Sequence, residues 1–138
     1  MSIGMYEGMT GKVYQQGDVI VRQGEVGECM YVISKGKAEV LVKKGRKQVR
    51  LAILGPRDFF GEMAVFDRER RSATVRAISV VQVIAIEKKT LETKILQMPW
   101  LAFRVIEKMS RRIRETDREL VKLKKVAKQP ARAKQTKP

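Results

Sequence analysis

Short apolar runs, broken by glycines at 17, 24, 27, 36, 45, 55 and 61, fill the chain from Asp18 to Glu87. The runs "DVIVRQ" (18–23), "CMYVIS" (29–34), "AEVLVKK" (38–44) and "QVRLAIL" (48–54) alternate apolar and polar residues, as half-buried strands do. "KKGRK" and "LGPRD" between them are turn signals, Gly-Pro being a strong breaker. "SATVRAIS" and "VVQVIAIE" supply two further strands. Short strands and turns at this spacing predict a mainly β domain, an antiparallel β-roll or jelly roll of about eight strands. Its span is predicted as residues 12–87.

From Lys88 the period changes. "KTLETKILQM" predicts a short helix over 88–97, ended by Pro99, which suits the first turn of a longer helix over 99–125. In that second helix Ile106, Met109, Ile113, Thr116, Leu120 and Leu123 are spaced 3, 4, 3, 4, 3. This is the a/d seam of a coiled coil, and charged residues fill the other positions. A single helix on its own sheet could carry a similar stripe, but a stripe this narrow suits a partner helix better. A homodimer through residues 99–125 is therefore expected. "AKQPARAKQTKP" has no apolar period, so 126–138 is expected to be a disordered basic tail after a domain of 1–125.

The chain has no histidine and one cysteine, Cys29. The commonest metal ligand and the usual general base are thus missing. No metal site and no enzymatic activity are expected, and Cys29 is read as a buried small hydrophobe. No apolar window is long enough for a membrane span and no secretory signal is present, so a cytoplasmic chain is expected. Net charge is +15, of which residues 104–138 carry +9. Such a field favours anionic partners.

The stretch "FFGEMAVFDRERRSATVRA", 59–77, is the chemically unusual one. A short helix starting near Gly61-Glu62 would point free N–H groups outward, a ready anion site. An arginine after the charged loop can fork onto phosphate oxygens. Glu62 would repel a phosphate, but it makes sense beside one if it accepts from a hydroxyl. Phosphate and hydroxyl on one small ligand describe a ribose phosphate.

"GDVIVRQGEVGECMYVISKGKAEV" and "FGEMAVFDRERRSATVRA" together resemble the cyclic nucleotide-binding domain family, over about residues 12–125. The second segment is similar to that family's phosphate-binding cassette: Gly-Glu, an arginine nine residues after the glutamate, then small residues and a strand. The resemblance implies that Glu62 accepts from the ribose 2′-hydroxyl and that Arg71 pairs the exocyclic phosphate. It implies that Gly61, Met63 and Ala64 close over the sugar-phosphate, and that Ser72 and Ala73 meet phosphate through hydroxyl and amide. Arg71 is expected to start a strand, which turns Arg70 toward solvent or the acidic loop residues. Val49 alternates with Leu51 and Ile53 on one strand and is a candidate for the wall against the base.

Serine after the cassette arginine resembles the family's cyclic AMP-binding bacterial regulators, so cyclic AMP is the implied ligand, with cyclic GMP possible. Thr116 falls where the dimer helix of those regulators carries a threonine that reaches the adenine amino group. Asp117 departs from the serine those regulators supply from the other subunit. Only 13 residues follow Lys125, too few for the helix-turn-helix those regulators carry. The implied function is a non-catalytic sensor in which ligand binding repositions the C-terminal helix. The alternative is a basic, DNA-binding or transcription-related protein that uses the roll as a scaffold. Weak, non-specific nucleic-acid contact follows from the charge, while base stacking does not, because no aromatic lies beyond Phe103.

Overall fold

The structure, a computed structural model, describes residues 8–67 and 70–136, with side chains as far as Lys125, Asp67 excepted. Two compact units divide after Lys94. The first holds eight strands among the described residues: β1 (Met9–Tyr14), β2 (Val19–Val21), β3 (Cys29–Lys35), β4 (Ala38–Lys44), β5 (Lys47–Leu54), β6 (Phe59–Phe60), β7 (Thr74–Ala77) and β8 (Val81–Glu87). Between β6 and β7 stands a short helix, α1 (Glu62–Asp67), and α2 (Lys88–Lys94) closes the unit. The second unit holds a 3-10 turn, Ile95–Gln97, and one long helix, α3 (Pro99–Thr136).

The strands form two antiparallel four-stranded sheets, ordered β1-β8-β3-β6 and β2-β7-β4-β5. This is the predicted antiparallel roll. Alternation along β8 explains the core: Val81, Val83 and Ala85 are buried, while Gln82 and Glu87 face out. These side chains meet Ile20 and Val21 of β2, Ile33 of β3, Ala38 of β4 and Val75 and Ala77 of β7. The β3–β4 turn lies so close to β8 that a β-carbon on Gly36 (φ 88°) would fall 2.1 Å from the Val80 carbonyl oxygen. Only glycine fits there.

Three expectations need correction. The strand 48–54 is not half-buried as its alternation predicts: Val49, Leu51 and Ile53 are 39%, 60% and 49% exposed. β5 is an edge strand, and Val40 pairs Ala52 while Leu41 pairs Arg50, which makes Leu51 the extra residue of a bulge. Cys29 is half-buried rather than buried, because it opens β3 at the border of the core. The backbone of α3 continues past Lys125, where an irregular tail was expected. Ala, Lys, Gln and Arg are strong helix formers. Arg68, Glu69, residues 137–138 and the side chains of the tail lie outside the described residues.

One carboxylate ties the second sheet across its strands. Glu39 on β4 is buried and takes two forked arginines: Arg50 from β5 at 2.9 Å and Arg76 from β7 at 2.7–2.8 Å. The Arg76 hydrogen bond, then the Arg50 one, hold its carboxyl below the usual carboxylate range despite burial. A group whose folded pKa is depressed stabilises above its unfolded pKa, and that contribution is lost as pH falls through the folded value. Glu39→Gln therefore melts a few degrees lower than wild type at neutral pH. The gap closes on acidification below the ordinary carboxylate range, as thermal melts across pH will read.

Candidate functional site

The sequence places an arginine just after a charged loop, and the fold turns it inward. Arg71 is only 7% exposed. Its Nη1 donates to the Gly61 carbonyl and its Nη2 to the Cys29 carbonyl, both at 2.8 Å. Its Cζ stands 5.8 Å from the centroid of the Tyr31 ring, which in turn stacks on Phe60 at 5.1 Å. Cation–π contact of this kind favours a guanidinium taken out of water. Among the described residues no carboxylate pairs with Arg71. Among those residues the buried cation meets carbonyl dipoles and an aromatic ring, and burying a charge without a counter-ion is costly.

The backbone around it is equally tied. The Arg71 N–H donates to the Glu25 carbonyl and the Gly24 N–H to the Arg71 carbonyl, each at 2.8 Å. Arg71 therefore does not start a strand, as the sequence was read to imply. Its ladder groups bond the 24–25 loop, and β7 begins only at Thr74. Arg70 is exposed, as expected, and donates to the Gly24 carbonyl at 2.9 Å. The loop's next glycine is there for space: a β-carbon on Gly27 would fall 2.1 Å from Nη2 of Arg71 and 2.3 Å from its Cζ.

Gly61 links β6 to α1 at φ 84°, where a β-carbon would also sit 2.5 Å from Nη1 of Arg71. Glu62 is the first residue of α1 and is buried. Met63 is half-buried, Ala64 buried, Ser72 exposed and Ala73 half-buried. The cassette residues of 61–64 and Arg71 are thus brought together by α1, β3 and β6. Val49 lies on β5 of the other sheet, and Thr116 is exposed on α3 in the second unit. Sequence reading did not single out Gly27, the Cys29 carbonyl or Tyr31. Backbone acceptors have no residue signature, and the aromatic at 31 reads simply as a strand residue. Burial, then the nearby Glu87 carboxylate, pushes the Cys29 thiol up, and burial above all does the same to the Tyr31 phenol.

Residues 11–98 match the family model of the cyclic nucleotide-binding domain, and the chain belongs to that family. Within it, the chain is similar to bacterial regulators: it is 33% identical over 110 residues to the cyclic AMP receptor protein of Thermus thermophilus, which is 79% of this chain and 51% of the relative. It is 42% identical over 88 residues to a cGMP-dependent protein kinase of Eimeria tenella, 64% of this chain and 8% of that one. The crystal structure of the Thermus thermophilus catabolite activator protein superposes with a TM-score of 0.76 at 32% identity, covering 84% of this chain and 55% of that one. The chain spans about half the length of the bacterial regulators it matches. Among the described residues no helix is long and apolar enough to cross a membrane.

Proposed function

We propose that this chain is a non-catalytic sensor whose ligand is a cyclic nucleotide, cyclic AMP in preference to cyclic GMP. The observation that carries the reading is the buried Arg71 guanidinium, without a carboxylate partner among the described residues, beside Gly61-Glu62. An exocyclic phosphate supplies the missing charge and accepts the forked pair. Glu62 accepts from the ribose hydroxyl, the 61–64 segment closes over the sugar-phosphate, and Ser72 and Ala73 meet the phosphate. Val49 supplies apolar wall and Thr116 reaches the purine.

A homodimer through residues 99–125 fits the same reading. Ile106, Ile113, Leu120 and Leu123 of the heptad seam are each at least half exposed in the single chain. Apolar residues recurring at this spacing gain most from a second helix. Nucleotide in the roll then repositions the helix pair, and the domain proper is 1–125.

Calorimetry with cyclic AMP and cyclic GMP, on protein freed of carried-over nucleotide and of mass known from light scattering, tests it. The expected result is a dimer that binds cyclic AMP at micromolar levels and cyclic GMP more weakly. Clean protein that binds neither sinks the reading.

A further inference from the structure

The face of α3 that the heptad seam does not use carries its own pattern. Arg111, Arg114, Arg118, Lys122 and Lys125 follow one another at spacings of 3, 4, 4 and 3. Residues so spaced stack along one face of a helix. All five are exposed, and none makes an ion pair among the described residues. At 1.5 Å per residue the row is about 21 Å long.

At 100° per residue this row lies roughly opposite Met109, Ile113, Thr116, Leu120 and Leu123 of the seam. Pairing through the seam would leave the row open. Like charges at i,i+3 and i,i+4 destabilise a helix, so the row costs the free protein stability and is relieved by an anion. Glu115 and Glu119 border it on one side and Asp117 on the other.

We propose that this row is a docking surface for the phosphate backbone of double-stranded nucleic acid. A linear row of cations suits a linear polyanion: its length matches about six steps of 3.4 Å along one strand. An acidic membrane fits less well. An interfacial helix buries apolar side chains between its cations and the acyl chains. Among the described side chains Val121 is the one apolar residue beside the row, and the apolar seam points the other way. The contact is sequence-independent, since nothing in the row is arranged for base edges.

The test is fluorescence anisotropy of a 24-base-pair DNA duplex of arbitrary sequence, titrated with the full chain at several salt concentrations. With about five phosphates neutralised, log K falls against log salt with a slope near −4.5. Affinity drops on the order of several hundred-fold between 50 and 200 mM. Changing all five residues to glutamine abolishes binding, while Arg111→Gln alone flattens the slope by about 1. Cyclic nucleotide binding by the five-fold variant, unchanged, shows that its roll is folded. That readout separates failure here from failure of the sensor reading. No duplex binding at 50 mM salt overturns the proposal. So does binding that survives the five-fold change, or sedimentation with phosphatidylserine vesicles in the absence of duplex binding.

Discussion

Arg71→Ala loses between about 30-fold and several thousand-fold of the affinity for cyclic AMP. Removing one partner of a buried, hydrogen-bonded charge pair commonly costs about 2–5 kcal/mol, and each 1.4 kcal/mol is tenfold. The guanidinium sits at the low-exposure end of the range in which such costs are large, at 7% exposed. Alanine also strands the Gly61 and Cys29 carbonyls that Arg71 bonds. Some stability is lost with them, about 1–3 kcal/mol by the usual cost of an unpaired buried polar group. A thermal melt must therefore accompany the calorimetry. Arg71→Lys separates the two effects. It keeps the charge but not the fork, so it recovers only part of the affinity. Full affinity in a folded Arg71→Ala protein would remove Arg71 from the site.

Gly27→Ala has an effect nearly as large on binding and a much smaller one on the fold. The new methyl would overlap the guanidinium, at 2.1 Å from Nη2, and its three nearest neighbours all belong to that side chain. The far end of a long side chain is the part of a protein that gives way most cheaply. The backbone at Gly27 lies outside the positive-φ region, so alanine adds no left-handed backbone strain. Arg71 is pushed off its two carbonyl acceptors and out of line with the phosphate. Affinity falls by about 100-fold, the scale of a well-positioned charge-assisted pair lost. The melting temperature moves by only a few degrees. Wild-type binding by Gly27→Ala would mean that Arg71 has another placement from which it serves the ligand equally well.

Much of this was legible in the residues, and the failures share a cause. β3, β4, β5 and β8 fall within a residue or two of their alternating runs. α1 starts at Glu62, as the Gly-Glu pair implies. β1 was missed: "MTGKVY" has a glycine in the middle and mostly exposed side chains, and it is a strand only because β8 offers it a ladder. β6 was missed because two residues carry no period. The same holds at the site. Gly61, Glu62 and Arg71 lie in one cassette and could be read together. Gly27 and Cys29 lie more than 40 residues from Arg71 in sequence, and their contribution is a missing side chain and a carbonyl oxygen. Neither of those has an amino-acid signature.

The strand order has a consequence for how the chain is made. β1 has only β8 for a neighbour and β2 only β7, and both partners come from the last part of the roll. A nascent chain that has emerged as far as α1 can form the β4–β5 hairpin and the short β3–β6 pairing, and little else. The four remaining pairings, β1–β8, β2–β7, β3–β8 and β4–β7, close only when residues 74–87 arrive. Such long-range pairing is slow, and unpaired edges invite aggregation meanwhile. Translation that halts before Thr74 therefore releases a product with two orphan strands, a substrate for chaperones and proteases rather than a weakened binding domain. The completed roll forms late and nearly all at once, with its first strand waiting for its last.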